Sequence, residues 1–183
     1  MNDIRVYALM QHEDDPRKCS AARLVHEGEV RKARDRQRIP AGALVLNPEA
    51  ERALSKADLE AATKFGLLVV DCSWKRLESF PRLRSGLRHR ALPLLLAANP
   101  VSFGKAQRLS SAEAIAAALH ILGNRAQARR VMKHFRWGDT FLQLNGELLD
   151  EYSSARDSAE VIRIQGEALR SLDVAPTDAT DAQ

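Results

Sequence analysis

The sequence predicts an α/β fold with a helical second half, and three features point to it. The runs IRVYALM at 4–10 and LLVVD at 67–71 are dense in apolar and β-branched residues. Each ends abruptly in polar residues, as strands buried in a parallel sheet do. From about residue 110 onward the apolar residues recur at helical spacing, through SAEAIAAALHILG and NRAQARRVMKHFRWGDTFLQLNGELLDEYSSA. The expected division is an α/β N-terminal lobe over 1–92, a helical C-terminal lobe over 93–170 and a disordered tail over 171–183, where DVAPTDATDAQ is small, polar and aperiodic.

The elements are taken in chain order. Ile4 to Met10 reads as the opening strand, and Pro16 in HEDDPRKCS forbids a helix through the loop after it. Ser20 is placed to cap a helix running through AARLVHEGEVRKA, with Leu24 and Val25 inward. Pro40-Ala41-Gly42 marks a turn, ALVLN a short strand, and Pro48 the start of a helix. Ser55 caps a second helical piece that Gly66 stops. LLVVD then forms the central buried strand, and ligands of open α/β sheets bind at such carboxyl ends. ALPLLLAANPVSFG reads as another buried strand, broken at Asn99-Pro100 and Gly104. Ser110 or Ser111, with Glu113 nearby, caps the next helix. Gly123 and Gly138 break the run from Ser111 to Ala155 into three helices, and DSAEVIRIQGEALRSL adds a last one.

Composition narrows the function. The 183 residues are 45% hydrophobic and 28% charged, ordinary for a globular protein able to bury one core. No run approaches a membrane span, and MNDIRVYALMQHEDD lacks the features of a signal peptide, so a cytoplasmic location with no membrane partner is expected. Cys19 and Cys72 stand far apart without CxxC spacing, which argues against a metal site. His12 and His26 read as surface residues before they read as bases. The net charge of +4 is mild, but RKARDRQR at 31–38 and RLRSGLRHR at 82–90 concentrate arginine. Either run alone is as readily a solvated surface. Two together point to nucleic acid, with Arg34, Arg36, Arg84 and Arg88 as the expected contacts.

No GxGxxG and no P-loop is present, so neither a dinucleotide site nor an NTPase is supported. Five segments in order, DPRKCSAARL, LVLNPEAERALS, VVDCSWKRLE, LPLLLAANPVSFGKAQRLSSAEAIAAAL and FRWGDTFLQLNGELLDEY, resemble the small-subunit rRNA aminocarboxypropyltransferases of archaea and eukaryotes. The resemblance spans about Ile4 to Tyr152. It implies a SPOUT-like knotted fold in which the C-terminal lobe carries the knot and the cofactor loop. It also implies S-adenosylmethionine as cofactor, small-subunit rRNA or its precursor particle as partner, and a monomer. By the same resemblance Ser20 holds the methionine arm, Val70 offers a carbonyl to the ribose, Leu92 and Gln107 meet the adenine through their main chains, and Ser111 lies near the amino acid end. Gln107 departs from the aromatic residue often found there. Trp74 would cover the sulfonium methyl so that the longer arm faces the RNA, since orientation of the reacting atoms supplies much of the barrier reduction. Asp71 would accept or orient the proton of the attacking base.

Blander readings stand beside these. Asp71 can instead cap a helix at Ser73-Trp74 while Trp74 packs in the core, and Phe135, Trp137, Phe141 and Leu144 have the spacing of a packing face. A SPOUT-type RNA methyltransferase would release S-adenosylhomocysteine in place of methylthioadenosine. A non-enzymatic ribosome-assembly factor would bind RNA but no cofactor.

Overall fold

The computed structural model describes residues 2–10, 19–33, 39–71 and 80–174. Five strands, β1 (Val6–Met10), β2 (Arg31–Lys32), β3 (Leu44–Leu46), β4 (Leu67–Asp71) and β5 (Arg88–Arg90), form one all-parallel sheet in the order β2-β1-β4-β3-β5. Seven helices are present among the described residues: α1 (Ser20–His26), α2 (Leu59–Phe65), α3 (Ser111–Ile121), α4 (Arg125–Met132), α5 (Gly138–Leu144), α6 (Gly146–Ser154) and α7 (Ser158–Val174).

Alternation of side chains along the strands divides the interior. Val6, Ala8, Leu44, Leu46, Leu67 and Val69 face the larger core, which they share with Leu24 of α1, Ile115 and Leu119 of α3, and residues of α4 to α7 such as Met132, Phe141, Tyr152 and Val161. Leu9, Val45, Leu68 and Val70 face a smaller cluster with Ile39 and Ala43, against which Phe80, Leu83 and Leu87 pack. Burial on both faces explains why LLVVD reads as a continuous apolar run. Gly66, at the turn into β4, has φ +94°, and a Cβ there would lie 2.7 Å from the Tyr7 ring and 2.8 Å from the Arg5 carbonyl oxygen, so glycine is required.

Several expectations are corrected. The helix beginning at Ser20 ends at His26, far short of Ala33, and its N-cap is Cys19, whose Sγ accepts from the Ala22 N–H at 3.3 Å. Gly28 turns the chain at φ +79°, and the Glu29 and Val30 N–H groups both close onto the Leu24 carbonyl, which frees Arg31 and Lys32 to pair with β1. Pro48 opens no helix: the Asn47 side chain accepts from the Glu49 N–H at 3.0 Å and holds a turn there. ALPLLLA forms no strand of the sheet, and the fifth strand lies within the second basic run instead. The region from 111 to 154 folds as four helices, the extra break falling at Asn145-Gly146. The Ser55 cap, Gly66 as helix stop, the Ser110–Glu113 capping box and the last helix are found as expected. The expected tail lies mostly outside the described residues.

Candidate active site at the carboxyl edge of the sheet

Strand order locates a crevice. From β1 the chain proceeds through α1 to β2 on one side, whereas from β4 it crosses β3 to reach β5 on the other. The adjacent carboxyl ends of β1 and β4, where Met10 pairs with Asp71, are therefore a topological switch point, the place where open α/β sheets bind ligands. Val70 lies one residue back from that edge, paired with Leu9 and 7% exposed. Asp71 closes β4, while Trp74, Cys72 and Ser73 lie outside the described residues.

Above this edge two helix starts meet. Ser20, the first residue of α1, accepts through Oγ from the Ala112 N–H at 3.1 Å, so its hydroxyl oxygen serves one of the orphan donors in the first turn of α3. The fold thus brings the half-buried Ser20 to the first turn of α3, beside the half-buried Ser111, through a contact with Ala112 that spans 92 positions of sequence. Ser110 caps α3, and the Glu113 carboxylate returns to the Ser110 N–H at 2.7 Å.

Glu113 does more than complete the capping box. It is wholly buried, and its Oε1 accepts from the N–H groups of Ala98 and Asn99 at 2.7 and 3.0 Å, while Oε2 also accepts from Asn99 Nδ2 at 2.7 Å. The loop before α3 is thereby tied to the helix. Upstream, Asn145 holds Leu96 by both main-chain groups, accepting from its N–H at 2.8 Å and donating to its carbonyl at 2.9 Å. Sequence reasoning found Glu113 as a cap but missed its second role and that of Asn145. The available signal was a polar residue ending the apolar stripe of FRWGDTFLQLN.

Leu92 and Gln107 flank this segment. No hydrogen bond joins the main chain of Leu92 to another described residue, whereas Gln107, exposed and at φ +60°, donates its N–H to the Leu95 carbonyl at 3.0 Å. Only the Gln107 carbonyl is thus left for a ligand, which narrows the main-chain role expected of it.

The described parts of the two basic runs lie at opposite edges of the sheet. Exposed Arg31 and Lys32 form edge strand β2, and exposed Arg88 begins edge strand β5, four strand spacings or roughly 19 Å away. Arg84 is exposed and donates to the Ile39 carbonyl at 3.3 Å, while Arg34 and Arg36 lie outside the described residues. Arg90 is structural: its guanidinium meets the buried Asp58 carboxylate at 2.8–3.0 Å. His89 lies beside Asn47 Nδ2 at 3.2 Å and edge-on to Phe80, and burial lowers its pKa. No three His, Cys, Asp or Glu side chains gather as metal ligands among the described residues, and no helix among them is long and apolar enough to cross a membrane.

The comparisons with known proteins agree with one another. The family described as Ribosome biogenesis protein, C-terminal, matches residues 44–169. A Methanopyrus kandleri protein named 16S rRNA aminocarboxypropyltransferase is 49% identical over 162 residues, covering 88% of this chain and 96% of its own. One of the same name from Methanosarcina mazei is 48% identical over 166 residues, covering 89% and 94%. Among solved structures, the SAM-dependent rRNA:acp-transferase Tsr3 from Vulcanisaeta distributa superposes with a TM-score of 0.78 at 34% identity, covering 92% of this chain and 97% of that one.

Proposed function

The chain belongs to the ribosome biogenesis protein family, and from that premise we propose how its residues serve the reaction. It is an S-adenosylmethionine-dependent 16S rRNA aminocarboxypropyltransferase, and its substrate is small-subunit rRNA. The observation that carries this is near-half identity over 96% of the length of a relative named for that activity. The switch-point crevice supplies the matching place in the fold.

The crevice suits the donor on its own terms. Leu92 presents an unengaged main chain and Gln107 an unengaged carbonyl, suited to the donor and acceptor edge of adenine. Val70 offers its carbonyl to the ribose at the end of the central strand. Ser20 and Ser111 stand where the first turn of α3 favours a carboxylate. S-adenosylmethionine, as donor substrate, supplies an electrophilic γ-carbon on its methionine arm. Trp74 holds the methyl aside. N3 of a uridine or N1-methylpseudouridine attacks the γ-carbon, the carbon–sulfur bond breaks, methylthioadenosine leaves, and the N3 proton passes to Asp71. Arg34, Arg36, Arg84 and Arg88 hold the RNA. The same reading gives the fold its SPOUT-like knot, with an α/β lobe over 1–92 and a helical lobe over 93–170, in a cytoplasmic monomer. The likeness to Tsr3 supports the mixed α/β fold within this reading.

The test uses purified protein, the donor and small-subunit particles lacking the modification, with nucleosides and small products read by mass spectrometry. Methylthioadenosine and an aminocarboxypropylated nucleoside are expected. S-adenosylhomocysteine would make the chain a methyltransferase, and absence of donor binding would leave an assembly factor. Asp71→Asn should keep donor affinity and lose roughly 10²–10⁴-fold in turnover. A fall in melting temperature with turnover intact would assign Asp71 to capping instead.

A further inference from the structure

Residues 97–108 form a loop whose backbone is satisfied without its two largest apolar side chains. An isolated antiparallel bridge joins Leu96 to Ala106, Ala97 N–H donates to the Lys105 carbonyl at 3.0 Å, and Gly104 N–H donates back to the Ala97 carbonyl at 2.7 Å. Within the tip, Ser102 N–H donates to Asn99 Oδ1 at 3.0 Å and Lys105 N–H to the Ser102 carbonyl at 3.0 Å. Buried Asn99 and Glu113 root the whole excursion in α3. This rigid frame holds Phe103 64% exposed and Val101 87% exposed, the most exposed large hydrophobic residues among those described. Folding makes no use of the Phe103 ring.

The stretch of chain that carries the loop holds one sign of charge. From Ser79 to Ala112 the sequence has no aspartate or glutamate, yet it contains Arg82, Arg84, Arg88, Arg90, Lys105 and Arg108. Lys105 and Arg108, both exposed, flank the aromatic tip, and neither side chain meets an acidic partner among the described residues. Three residues beyond Arg108 begins α3, whose first turn borders the crevice through the Ser20 contact. An aromatic face on a preorganised backbone with unpaired cations beside it matches the way proteins hold unpaired nucleotides, with the ring stacking a base and the cations meeting phosphates. A regular duplex offers no such face, because its bases are already stacked.

We propose that Phe103 stacks on an unpaired base of the rRNA beside the modified nucleotide, with Lys105 and Arg108 on the flanking phosphates. The loop is then a positioning element that takes up the target strand as single-stranded RNA. This rests on the rRNA-modifying function proposed for the crevice.

The experiment uses the full chain, a fluorescein-labelled single-stranded oligouridylate, a duplex of equal length and unmodified small-subunit particles. Phe103→Ala should raise the Kd for the single strand about tenfold or more, with donor affinity by calorimetry and melting temperature unchanged. Phe103→Trp should restore tight binding. Phe103→Leu should not, because an aliphatic side chain keeps hydrophobicity without a stacking face. Replacing Lys105 and Arg108 with alanine should flatten the dependence of log K on log salt by about one to two. Transfer at saturating particle concentration should persist in Phe103→Ala, with the loss appearing in KM. The proposal falls if Phe103→Ala or Phe103→Leu binds the single strand as the wild type does. It also falls if the substitutions weaken only binding to the particle, which would mark a ribosomal protein as the partner. Failure of the functional reading looks different: the wild-type chain would then transfer nothing.

Discussion

In the sheet, the strands pair main chain to main chain; the extended segment Leu94–Asn99 finds more than half of its partners in side chains. Its alternation is strand-like. Leu95 and Ala97 bond on one edge to the returning residues Gly104, Lys105 and Gln107. On the other edge, where a further strand would lie, Leu94 meets Gln165 Oε1 at 2.8 Å and the Tyr152 hydroxyl at 3.2 Å, Leu96 meets the Asn145 amide, and Ala98 meets Glu113. Side chains from the helical half thus stand in for a sixth strand. Gln127 does the same for Ile4 just before β1, accepting from its N–H at 2.9 Å and donating to its carbonyl at 2.8 Å. A ladder built from main-chain atoms tolerates changes of side chain. A surrogate edge built from amides and a carboxylate depends on their identity, and here that edge positions the segment between Leu92 and Gln107.

The largest expected effect comes from removing one surrogate. Glu113→Ala leaves the N–H groups of Ala98, Asn99 and Ser110 and the amide of Asn99 without their acceptor. At about 1–3 kcal/mol for each buried orphan, a loss of about 4 kcal/mol or more is expected. Urea denaturation measures it, and donor affinity of the molecules still folded, read by calorimetry, should fall as well. Retained affinity would show that the loop keeps its place without the carboxylate.

An intermediate effect is expected on the sheet side. Val45, wholly buried in the smaller cluster, loses two methyl groups in Val45→Ala, for about 2 kcal/mol. Its ladder contacts to Leu68 and His89 use main-chain atoms and survive the change. Donor affinity per folded molecule should therefore be unaltered, the opposite of Glu113→Ala. Equal losses of affinity in the two variants would erase the distinction between the regions.

The smallest effect concerns pH. His120 of α3 is buried with Nε2 2.8 Å from Asp150 Oδ1, and burial, helped by Arg125 and Arg129, lowers its pKa despite the opposing pull of Asp150. Protonation then favours the unfolded chain, so this contribution to stability is whole above the ordinary value of 6.5 and is lost as pH falls through the lowered one. Melting temperature should be level above pH 7 and decline below 6.5, with a slope from this residue under about 1.4 kcal/mol per pH unit. His120→Gln should reduce that decline, and His89 on the sheet side should account for part of the remainder.

Elements whose bonds close within a few residues, or whose burial imposes a period, were legible in the sequence. The central strand at 67–71, the glycine before it, the Ser110–Glu113 cap and the helical spacing beyond Ser111 belong to this class. The order of the motifs carried the family likeness and with it the reaction. The edge strands were not legible: Arg31–Lys32 and Arg88–Arg90 are too short and too basic to show a period, and they are strands only because β1 and β3 offer free edges. Leu94–Ala98 has the composition of a central strand and is kept out of the sheet, since its edge is taken by Asn145, Tyr152 and Gln165, which lie 49, 58 and 71 positions from the residues they hold. The meeting of Ser20 with α3 spans 92 positions. By itself the sequence determined the opening and central strands, the helical character of the second half and the chemistry the motifs imply. Only the tertiary structure decided which polar side chains complete the backbone around the site, because a hydrogen bond between distant residues leaves no local pattern in either of them.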